Sequence, residues 1–251
     1  MKERHLKIMN LVNAQGQISV RELSQALNVS VVTMRKDLDE LEGMNLLHKA
    51  HGYAARVSTD AIDFRMSLFH SEKQKIVQRA VGLVSPNETI MIESGSTCAL
   101  FALELAKINN VTIITNSAYI ARSLHNIPMT NVVLLGGDYD PISEVTTGPV
   151  TRLCAGEYHV DKFFIGIDGY TEESGFTNVN HTRCSTVRDI ARRADKIIAL
   201  TTSDKFGKQS VAHLFDPCEI HTVVTDSRLP EAYVRSLSGH GIHLELIDAE
   251  S

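Results

Sequence analysis

Long apolar runs are missing from the 251-residue sequence: no stretch reaches membrane-spanning length, and no signal-peptide pattern opens the chain. The four cysteines lie far apart without a Cys-x-x-Cys pair, and a chain of this length needs no disulfides to fold. Internal repeats and low-complexity tracts are also lacking. These absences exclude membrane-spanning and disulfide-stabilised proteins. We therefore expect a cytoplasmic protein with reduced thiols and no membrane partner.

Charge is unevenly divided along the chain. Residues 1–57 contain 8 Lys and Arg against 6 Asp and Glu, a net charge of +2, and the remainder contains 17 against 24, a net charge of −7. The sum is the formal net charge of −5. A positive segment favours contact with DNA phosphates, whereas an acidic segment is repelled by them. The 43% hydrophobic content is sufficient for two cores.

A helix typical of DNA recognition is predicted from Ser30 to Leu41, "SVVTMRKDLDEL". Its apolar residues recur at helical spacing and predict one buried face, formed by Val31, Met34, Leu38 and Leu41. Ser30 stands at the N-cap position. Val32, Thr33 and Lys36 point away from the apolar face, and such small, polar and basic side chains fit a major groove.

The flanking segments complete a winged helix-turn-helix pattern. The segment "HLKIMNLVNAQG" predicts an amphipathic helix ending at Gly16, and Ser19 and Glu22 have the spacing of a capping box at the start of the next helix. "LLHKAHGYAARV" predicts a hairpin that turns near Gly52, in the position of a wing. The alternative is a small helical cap whose charges are merely solvated. The residues expected to contact DNA are Ser30, Val32, Thr33, Arg35, Lys36, Lys49 and His51.

Two other constellations are weaker. His48 and His51 have metal-like spacing, but without nearby Cys or further acids a basic wing is the preferred interpretation, and no metal site is predicted. Asp138, Asp140 and Glu144 favour a solvated loop, ordered by ligand or a neighbouring subunit, over a catalytic pair. We predict no catalytic residues and no cofactor.

An α/β domain with a mostly parallel sheet is predicted from the second part of the chain. Short apolar runs rich in β-branched residues alternate there with helical segments, as in sheets that are buried on both faces. The predicted strands are "TIMIES", "VTIITNS", "NVVLLGG", "KFFIGIDG", "KIIALTTS", "HTVVTDS" and "IHLELID". The domain boundaries that we expect are 1–57 for the winged helix-turn-helix, 58–73 for a linker with some helix, and 74–251 for the α/β domain.

Small and polar residues follow five of these predicted strands. In parallel sheets, ligands bind beyond the carboxyl ends of the strands, and amides at a helix N-terminus favour a phosphate. Ser, Thr and Gly also cap helices for structural reasons, but five such loops at one edge favour a small anionic ligand. The residues expected to bind it are Glu93, Gly95, Ser96, Thr97, Thr115, Asn116, Ser117, Gly136, Gly137, Asp168, Gly169 and Lys205.

Taken in order along nearly the whole chain, these motifs resemble the DeoR family of bacterial transcriptional regulators. The segments that carry the resemblance are "SVVTMRKDLDELE", "EK", "ESGST", "TNS", "LLGG", "DKFFIGIDG", "GFT" and "SDKFG". The resemblance implies a winged helix-turn-helix joined to a sensor domain like ribose-5-phosphate isomerase. It also implies a repressor of sugar-metabolism genes that responds to a phosphorylated sugar.

Three positions depart from the family pattern. Lys36 replaces the second Arg of the usual Arg-Arg-Asp-Leu, Tyr53 replaces the second glycine of the wing, and Glu93 replaces the usual Asp of the first sensor loop. The isomerase likeness raises the alternative of an enzyme with a DNA-binding appendage. "GIDGYTEESGFT" contains Asp168 but lacks the acidic cluster and the following Lys of those isomerases, which favours a sensor without catalysis. Double-stranded operator DNA requires two recognition helices, so we expect a homodimer or homotetramer.

Overall fold

The computed structural model describes residues 2–44, 46–50, 52–56, 58, 60–108, 110–128 and 130–248. These residues form two compact units, which meet in sequence at Leu68 and Phe69. Among the described residues, no helix is both long and apolar enough to cross a membrane.

The first unit contains four helices and a small antiparallel sheet. Its elements are α1 (Glu3–Gln15), β1 (Gln17–Ser19), α2 (Val20–Ala26), α3 (Val31–Gly43), β2 (Leu47–Ala50), β3 (Tyr53–Arg56) and α4 (Ile62–Ser67). The strand order is β1-β3-β2, and the β2–β3 hairpin turns at Gly52, whose φ of +86° favours glycine. The Ser19–Glu22 capping box is present at the start of α2. This arrangement of α2, α3 and hairpin is the predicted winged helix-turn-helix.

The core of the first unit confirms the apolar face of α3 with one correction. Met34, Leu38 and Leu41 are fully buried, but Val31 is 38% exposed. Val31 is the first residue of α3 and lies outside the core cluster, which contains Met34 of the next turn. Phe64 of α4 is buried in the same core, so part of the segment expected as a linker, 58–73, packs into the first unit.

The second unit is built on a seven-stranded parallel sheet in the order β15-β14-β12-β9-β4-β5-β6. The helices are α5 (His70–Val81), α6 (Ser96–Ile108), α7 (Ala118–Ser123), α8 (Pro149–Ala155), α9 (His181–Ala191) and α10 (Glu231–Gly239). The strands are β4 (Thr89–Ile92), β5 (Thr112–Thr115), β6 (Asn131–Leu134), β7 (Asp138–Asp140), β8 (Val145–Thr147), β9 (Val160–Ile165), β10 (Gly169–Thr171), β11 (Gly175–Asn178), β12 (Ala194–Leu200), β13 (Ala212–Phe215), β14 (Thr222–Asp226) and β15 (His243–Ile247). All seven predicted strands belong to the large sheet.

Two smaller sheets are not predicted by the sequence pattern. The β7–β8 hairpin contains the acidic residues for which the sequence favours a solvated loop. Asp140 accepts hydrogen bonds from Ser143 Oγ at 2.7 Å and the Ile142 amide at 2.9 Å, and Glu144 pairs with Arg122 at 2.6 Å. Asp140 therefore orders the turn between β7 and β8, and Glu144 joins this turn to Arg122 of α7. Strands β10, β11 and β13 form the other small sheet.

Candidate DNA-binding surface and ligand site

The N-terminus of α3 is capped as predicted. Ser30 Oγ accepts the Thr33 amide at 3.1 Å, and the hydroxyls of Ser30 and Thr33 are 2.8 Å apart. The Thr33 hydroxyl is thus engaged in the cap, although it can both donate and accept. Val32 beside it is 77% exposed. Val32 therefore presents its methyl groups at the tip of the helix, where contact with a thymine methyl is possible.

An open groove of about 390 Å³ lies between α3 and the hairpin. Its lining includes Arg35 of α3 and Lys49 and Tyr53 of the hairpin, together with the acidic Glu42. Arg35 and Lys36 are both exposed. Exposed basic groups on a helix and an adjacent hairpin form the kind of surface that contacts DNA phosphates.

The hairpin contributes differently from the sequence expectation. Lys49 pairs with Asp39 of α3, so its charge is partly neutralised on the protein itself. His51 lies outside the described residues. Tyr53 is 45% exposed and lines the groove. It departs from the family pattern and is not among the predicted DNA contacts.

One group of potential metal ligands is present within the described ranges, formed by His5, Asp37 and Glu40. Arg4 already binds Asp37, and Lys2 donates to Glu40 at 2.6 Å. Two resident cations thus compensate the two carboxylates, and we assign no metal to this group.

In the second unit, the predicted ligand residues follow strands of the parallel sheet and meet at its carboxyl edge. The adjacent strands β9, β4, β5 and β6 and the neighbouring β12 all run in the same direction. Their following loops therefore lie on one side of the sheet, where α/β proteins bind ligands. The side chains within these loops differ in how far they are committed to internal hydrogen bonds.

The loop after β4 departs from the expected anion cradle. Glu93, only 4% exposed, accepts hydrogen bonds from the Gly95 amide at 2.6 Å, Ser94 Oγ at 2.9 Å and the Gly166 amide at 3.3 Å. The expectation that the Gly95 amide binds the ligand anion is wrong for this conformation, because the Glu93 carboxylate already occupies that amide. Glycine at 95 allows the close approach of two loops, since a Cβ there would lie 3.1 Å from Gly166 Cα.

Ser96 and Thr97 form the first turn of α6 beside a buried lysine. Lys73 of α5 is 6% exposed, and its Nζ donates to Ser96 Oγ at 3.0 Å. The N-terminus of a helix carries a partial positive charge, and the Lys73 ammonium adds a full positive charge beside it, so the two together favour an anion there. Lys73 is not among the predicted ligand residues. The signal in the sequence is its place on the buried face of α5, three and four residues before Ile76 and Val77.

The residues at the end of β5 and just after it mainly hold the local structure. Thr115 Oγ1 donates to the Ile92 carbonyl at 2.6 Å, and Ser117 Oγ caps α7 by accepting the Ile120 amide at 3.2 Å. Asn116 Nδ2 donates to the Thr146 carbonyl at 3.1 Å. Asn116 Oδ1, however, is buried without a hydrogen-bond partner among the described residues. That oxygen remains available to a donor on a ligand or a water.

The predicted glycines mark close packing within the domain. A Cβ at Gly137 would lie 2.0 Å from Thr151 Oγ1, and one at Gly169 would lie 2.4 Å from the Lys208 carbonyl oxygen. Gly136 accepts a hydrogen bond from Thr151 Oγ1 through its carbonyl at 2.7 Å. Gly137 and Gly169 thus allow an approach that a side chain would prevent, and the Gly136 carbonyl is engaged with the protein.

Asp168 and Lys205 complete the predicted set. Asp168 Oδ2 accepts the Val179 amide at 3.2 Å. Lys205 is half-buried in a short 3-10 helix, Ser203–Lys205, and its Nζ lies 4.0 Å from Asp204. This is a loose ion pair at the limit of contact distance, and Asp204 is also 3.3 Å from Lys208. Two lysines share one carboxylate, so the loop keeps an excess positive charge.

The fold and these surfaces define a winged helix-turn-helix protein with an appended α/β ligand-binding domain. The profile of the DeoR-like helix-turn-helix domain matches residues 4–60, and that of the DeoR C-terminal sensor domain matches residues 68–227. The chain belongs to the DeoR family of transcriptional regulators.

Full-length relatives agree with this assignment. The chain is 30% identical to the HTH-type transcriptional regulator GolR of Listeria innocua over 98% of each chain. It is 30% identical to the L-fucose operon activator of Haemophilus influenzae, over 96% of this chain and 98% of that protein. It is 27% identical to the glycerol-3-phosphate regulon repressor of Escherichia coli, over 97% and 98%. A solved ribose 5-phosphate isomerase from Methanocaldococcus jannaschii matches 55% of this chain and 54% of its own at 22% identity, with a TM-score of 0.40.

Proposed function

We propose that the protein represses sugar-metabolism genes by binding operator DNA through α3 and the β2–β3 hairpin, and that a phosphorylated sugar releases it. The observation that carries the effector class is the buried Lys73 at the N-terminus of α6. A helix N-terminus and an adjacent ammonium both favour an anion, and Lys205 supplies further positive charge at the same sheet edge.

The polar groups around this anion site suit the hydroxyls of a sugar. Asn116 Oδ1 is a buried acceptor, and Asp168 offers a second carboxylate oxygen besides the one that accepts the Val179 amide. Relatives named for L-fucose and glycerol-3-phosphate add support for an effector of this class. One of these relatives is named an activator and the other a repressor. Because the relatives differ in this respect, repression by this chain is tested by measuring transcription from its own promoter with and without the protein.

We also propose that the sensor domain is not an enzyme. The Glu93 carboxylate is buried and accepts three hydrogen bonds, and one Asp168 oxygen is bound to a backbone amide. Carboxylate oxygens that already accept hydrogen bonds from the protein have fewer lone pairs free to take a proton from a substrate. Aldose–ketose isomerisation of ribose 5-phosphate and glucose 6-phosphate, measured with the purified protein, tests this proposal. Turnover that Glu93→Gln abolishes would contradict it.

Release of DNA requires that the effector bind the DNA-incompetent arrangement more tightly. A coupling free energy of about 1 to 3 kcal/mol is ordinary for such linkage. We propose at least a dimer, because two half-sites of an operator need two recognition helices.

The experiment has two steps. The first step measures the melting temperature of the protein with each of four phosphorylated compounds and with the unphosphorylated counterpart of each. The compounds are ribose 5-phosphate, fructose 6-phosphate, glucose 6-phosphate and glycerol 3-phosphate. The compound that raises the melting temperature identifies the effector class. The stabilising compound is then added to the protein bound to DNA from its own promoter region. Stabilisation by a phosphorylated compound alone, with loss of the DNA complex, is expected. Equal stabilisation by the unphosphorylated partner would overturn the anion site.

A further inference from the structure

Two loops of the proposed ligand site are connected by side chains to consecutive residues of α5. Lys73 Nζ donates to Ser96 Oγ at 3.0 Å, and Ser96 is the first residue of α6. The preceding residue, Glu72, accepts a hydrogen bond from the terminal nitrogen of Arg228 at 3.0 Å. One turn of α5 therefore reaches toward both sides of the site.

The second connection continues from Arg228 to the Lys205 loop. Arg228 Nε donates to Asp226 at 2.9 Å, and the buried Asp226 carboxylate accepts the Ser203 amide at 2.8 Å and Ser203 Oγ at 2.7 Å. Ser203 begins the 3-10 helix that contains Lys205. Ser203, Asp226, Arg228 and Glu72 therefore form one continuous chain of hydrogen bonds between the Lys205 loop and α5, and such charge-assisted bonds are short and directional.

The same turn of α5 lies where the sensor unit begins. Phe69, the first residue of the sensor unit, has φ 51° and ψ 38°. This left-handed backbone conformation is unfavourable for a residue that has a Cβ. Its carbonyl accepts the Lys73 amide at 2.9 Å. Phe69 is bonded covalently to Leu68, the last residue of the DNA-binding unit.

We propose that Glu72 and Arg228 are positioning residues that make the first turn of α5 respond to occupation of the ligand site. The inference rests on the proposed function, since an anion must bind beside Ser96 and Lys205. Binding that draws the Lys205 loop toward the anion shifts the Asp226–Arg228–Glu72 chain, and the altered turn biases the junction with the DNA-binding unit. Neither positioning residue touches the ligand.

The chain offers a matched control at the other end of α5. Arg79 also makes two charge-assisted hydrogen bonds, at 2.9 and 3.0 Å, but both go to the single carboxylate of Glu245 in β15. Among the described residues, this pair joins α5 to β15 and not to a loop of the ligand site. The exposed fractions of the two arginine side chains are 51% and 52%. Glu72→Gln and Arg228→Lys interrupt the proposed connection, whereas Arg79→Lys interrupts the control bridge. Lysine keeps the charge but not the two separate nitrogens that reach Asp226 and Glu72.

The experiment uses inorganic phosphate as the probe and the full chain in each case. Calorimetry measures phosphate binding, and hydrogen exchange measures the amides of residues 69–76 relative to those of α10. Loss of an exposed ion pair is expected to change phosphate affinity by less than about fivefold in every variant. Phosphate should slow exchange in residues 69–76 by about 5- to 150-fold in wild type and Arg79→Lys. The slowing should disappear in Glu72→Gln and Arg228→Lys.

The other outcomes each decide the question. Equal slowing in all four proteins would overturn the inference while leaving the anion site in place. Loss of phosphate binding in Glu72→Gln or Arg228→Lys would also overturn it, because these residues would then maintain the site rather than transmit its state. Absence of phosphate binding to the wild type would reject the proposed anion site itself, and the inference with it.

Discussion

The guanidinium of Arg4 in α1 binds both carboxylate oxygens of Asp37 in α3, with Nε 2.5 Å from Oδ2 and the terminal nitrogen 2.9 Å from Oδ1. Asp37 is 2% exposed, and His5 Nε2 lies 3.4 Å from its Oδ1. The recognition helix is thus fixed to the first helix of the domain by a bidentate ion pair whose carboxylate is buried and whose guanidinium is partly exposed. Arginine suits this role because its planar group matches a carboxylate.

Asp37→Asn should destabilise the DNA-binding unit by about 2 kcal/mol, because it replaces charge-assisted hydrogen bonds at a buried site. Urea unfolding followed through the ring resonances of Tyr53, the one tyrosine of residues 1–68, measures this change. Asp39→Asn is the control, since Asp39 lies on the same helix but is 62% exposed. Exposed pairs contribute little. Equal effects of the two substitutions would contradict the role of Asp37.

The same pair predicts loss of stability in acid. Hydrogen bonding from Arg4 lowers the pKa of Asp37 below its ordinary value, against the desolvation that raises it. The carboxylate is charged in both states above the ordinary value of about 3.9, so its stabilisation is complete there. Below that value the unfolded chain binds the proton first, and the stabilisation is lost as pH falls through the lowered pKa. Arg4→Gln should flatten this part of the Tyr53-detected stability curve, and unchanged curves would refute the assignment.

The elements that position both sites were predictable, whereas the use of individual polar groups was not. Continuous β-branched runs predicted every strand of the large sheet, and parallel strands necessarily bring their carboxyl ends to one edge. The hydrogen-bond partner of the Gly95 amide is the Glu93 side chain, which also accepts the amide of Gly166. Gly166 follows β9, which is next to β4 in the sheet but far from it in sequence. Sequence spacing contains no information on that encounter. The three-residue strands of the β7–β8 hairpin are too short for a periodic signal.

Lys73 was predictable in principle. A lysine on the apolar face of an amphipathic helix indicates either an error in helix phase or a buried functional charge. Asp226 at the end of β14 and Arg228 just after it gave no comparable sequence signal. Their hydrogen-bond partners, Ser203 and Glu72, are distant in sequence.

Lys36→Ala should weaken binding to promoter DNA without unfolding the domain. Lys36 is exposed on α3, and loss of one phosphate contact reduces the slope of log affinity against log salt by about one ion. Lys7→Ala is the control, because Lys7 is an exposed lysine of α1 that pairs with Glu3 at 2.8 Å. Affinity and salt slope measured by titration should change only for Lys36→Ala. The same slope for wild type and Lys36→Ala would exclude a phosphate contact.

Gly95→Ala should destabilise the sensor domain rather than act on the ligand alone. The added Cβ would lie 3.0 Å from Glu93 Oε2 and 3.1 Å from Gly166 Cα, and such overpacking costs about 1 to 3 kcal/mol. Gly239, at the end of α10, is the control, because a Cβ added there would have no described atom within 4 Å. Gly239→Ala should therefore be neutral or mildly stabilising. Thermal unfolding without ligand measures both, and a Gly95→Ala protein as stable as wild type would show that the two loops separate easily.

Lys205→Met should lower affinity for the phosphorylated effector by about 1.5 to 3 kcal/mol, the range for a hydrogen bond to a charged group. Methionine keeps much of the apolar stem and removes the charge. The melting temperature without ligand should hardly change, because the pair with Asp204 is loose at 4.0 Å and a third of the Lys205 side chain is exposed.

Lys208→Met provides the comparison for Lys205, because Lys208 shares the same carboxylate at 3.3 Å but is 61% exposed. If the loop acts only through its net charge, the two substitutions should weaken effector binding equally. If Lys205 contacts the phosphate, only its replacement should cause the larger loss, and the loss should be absent for the unphosphorylated counterpart. Titration calorimetry of the wild type and both variants, with the compound that stabilises the wild type, separates these outcomes. Equal affinity of Lys205→Met and wild type would reject the contact.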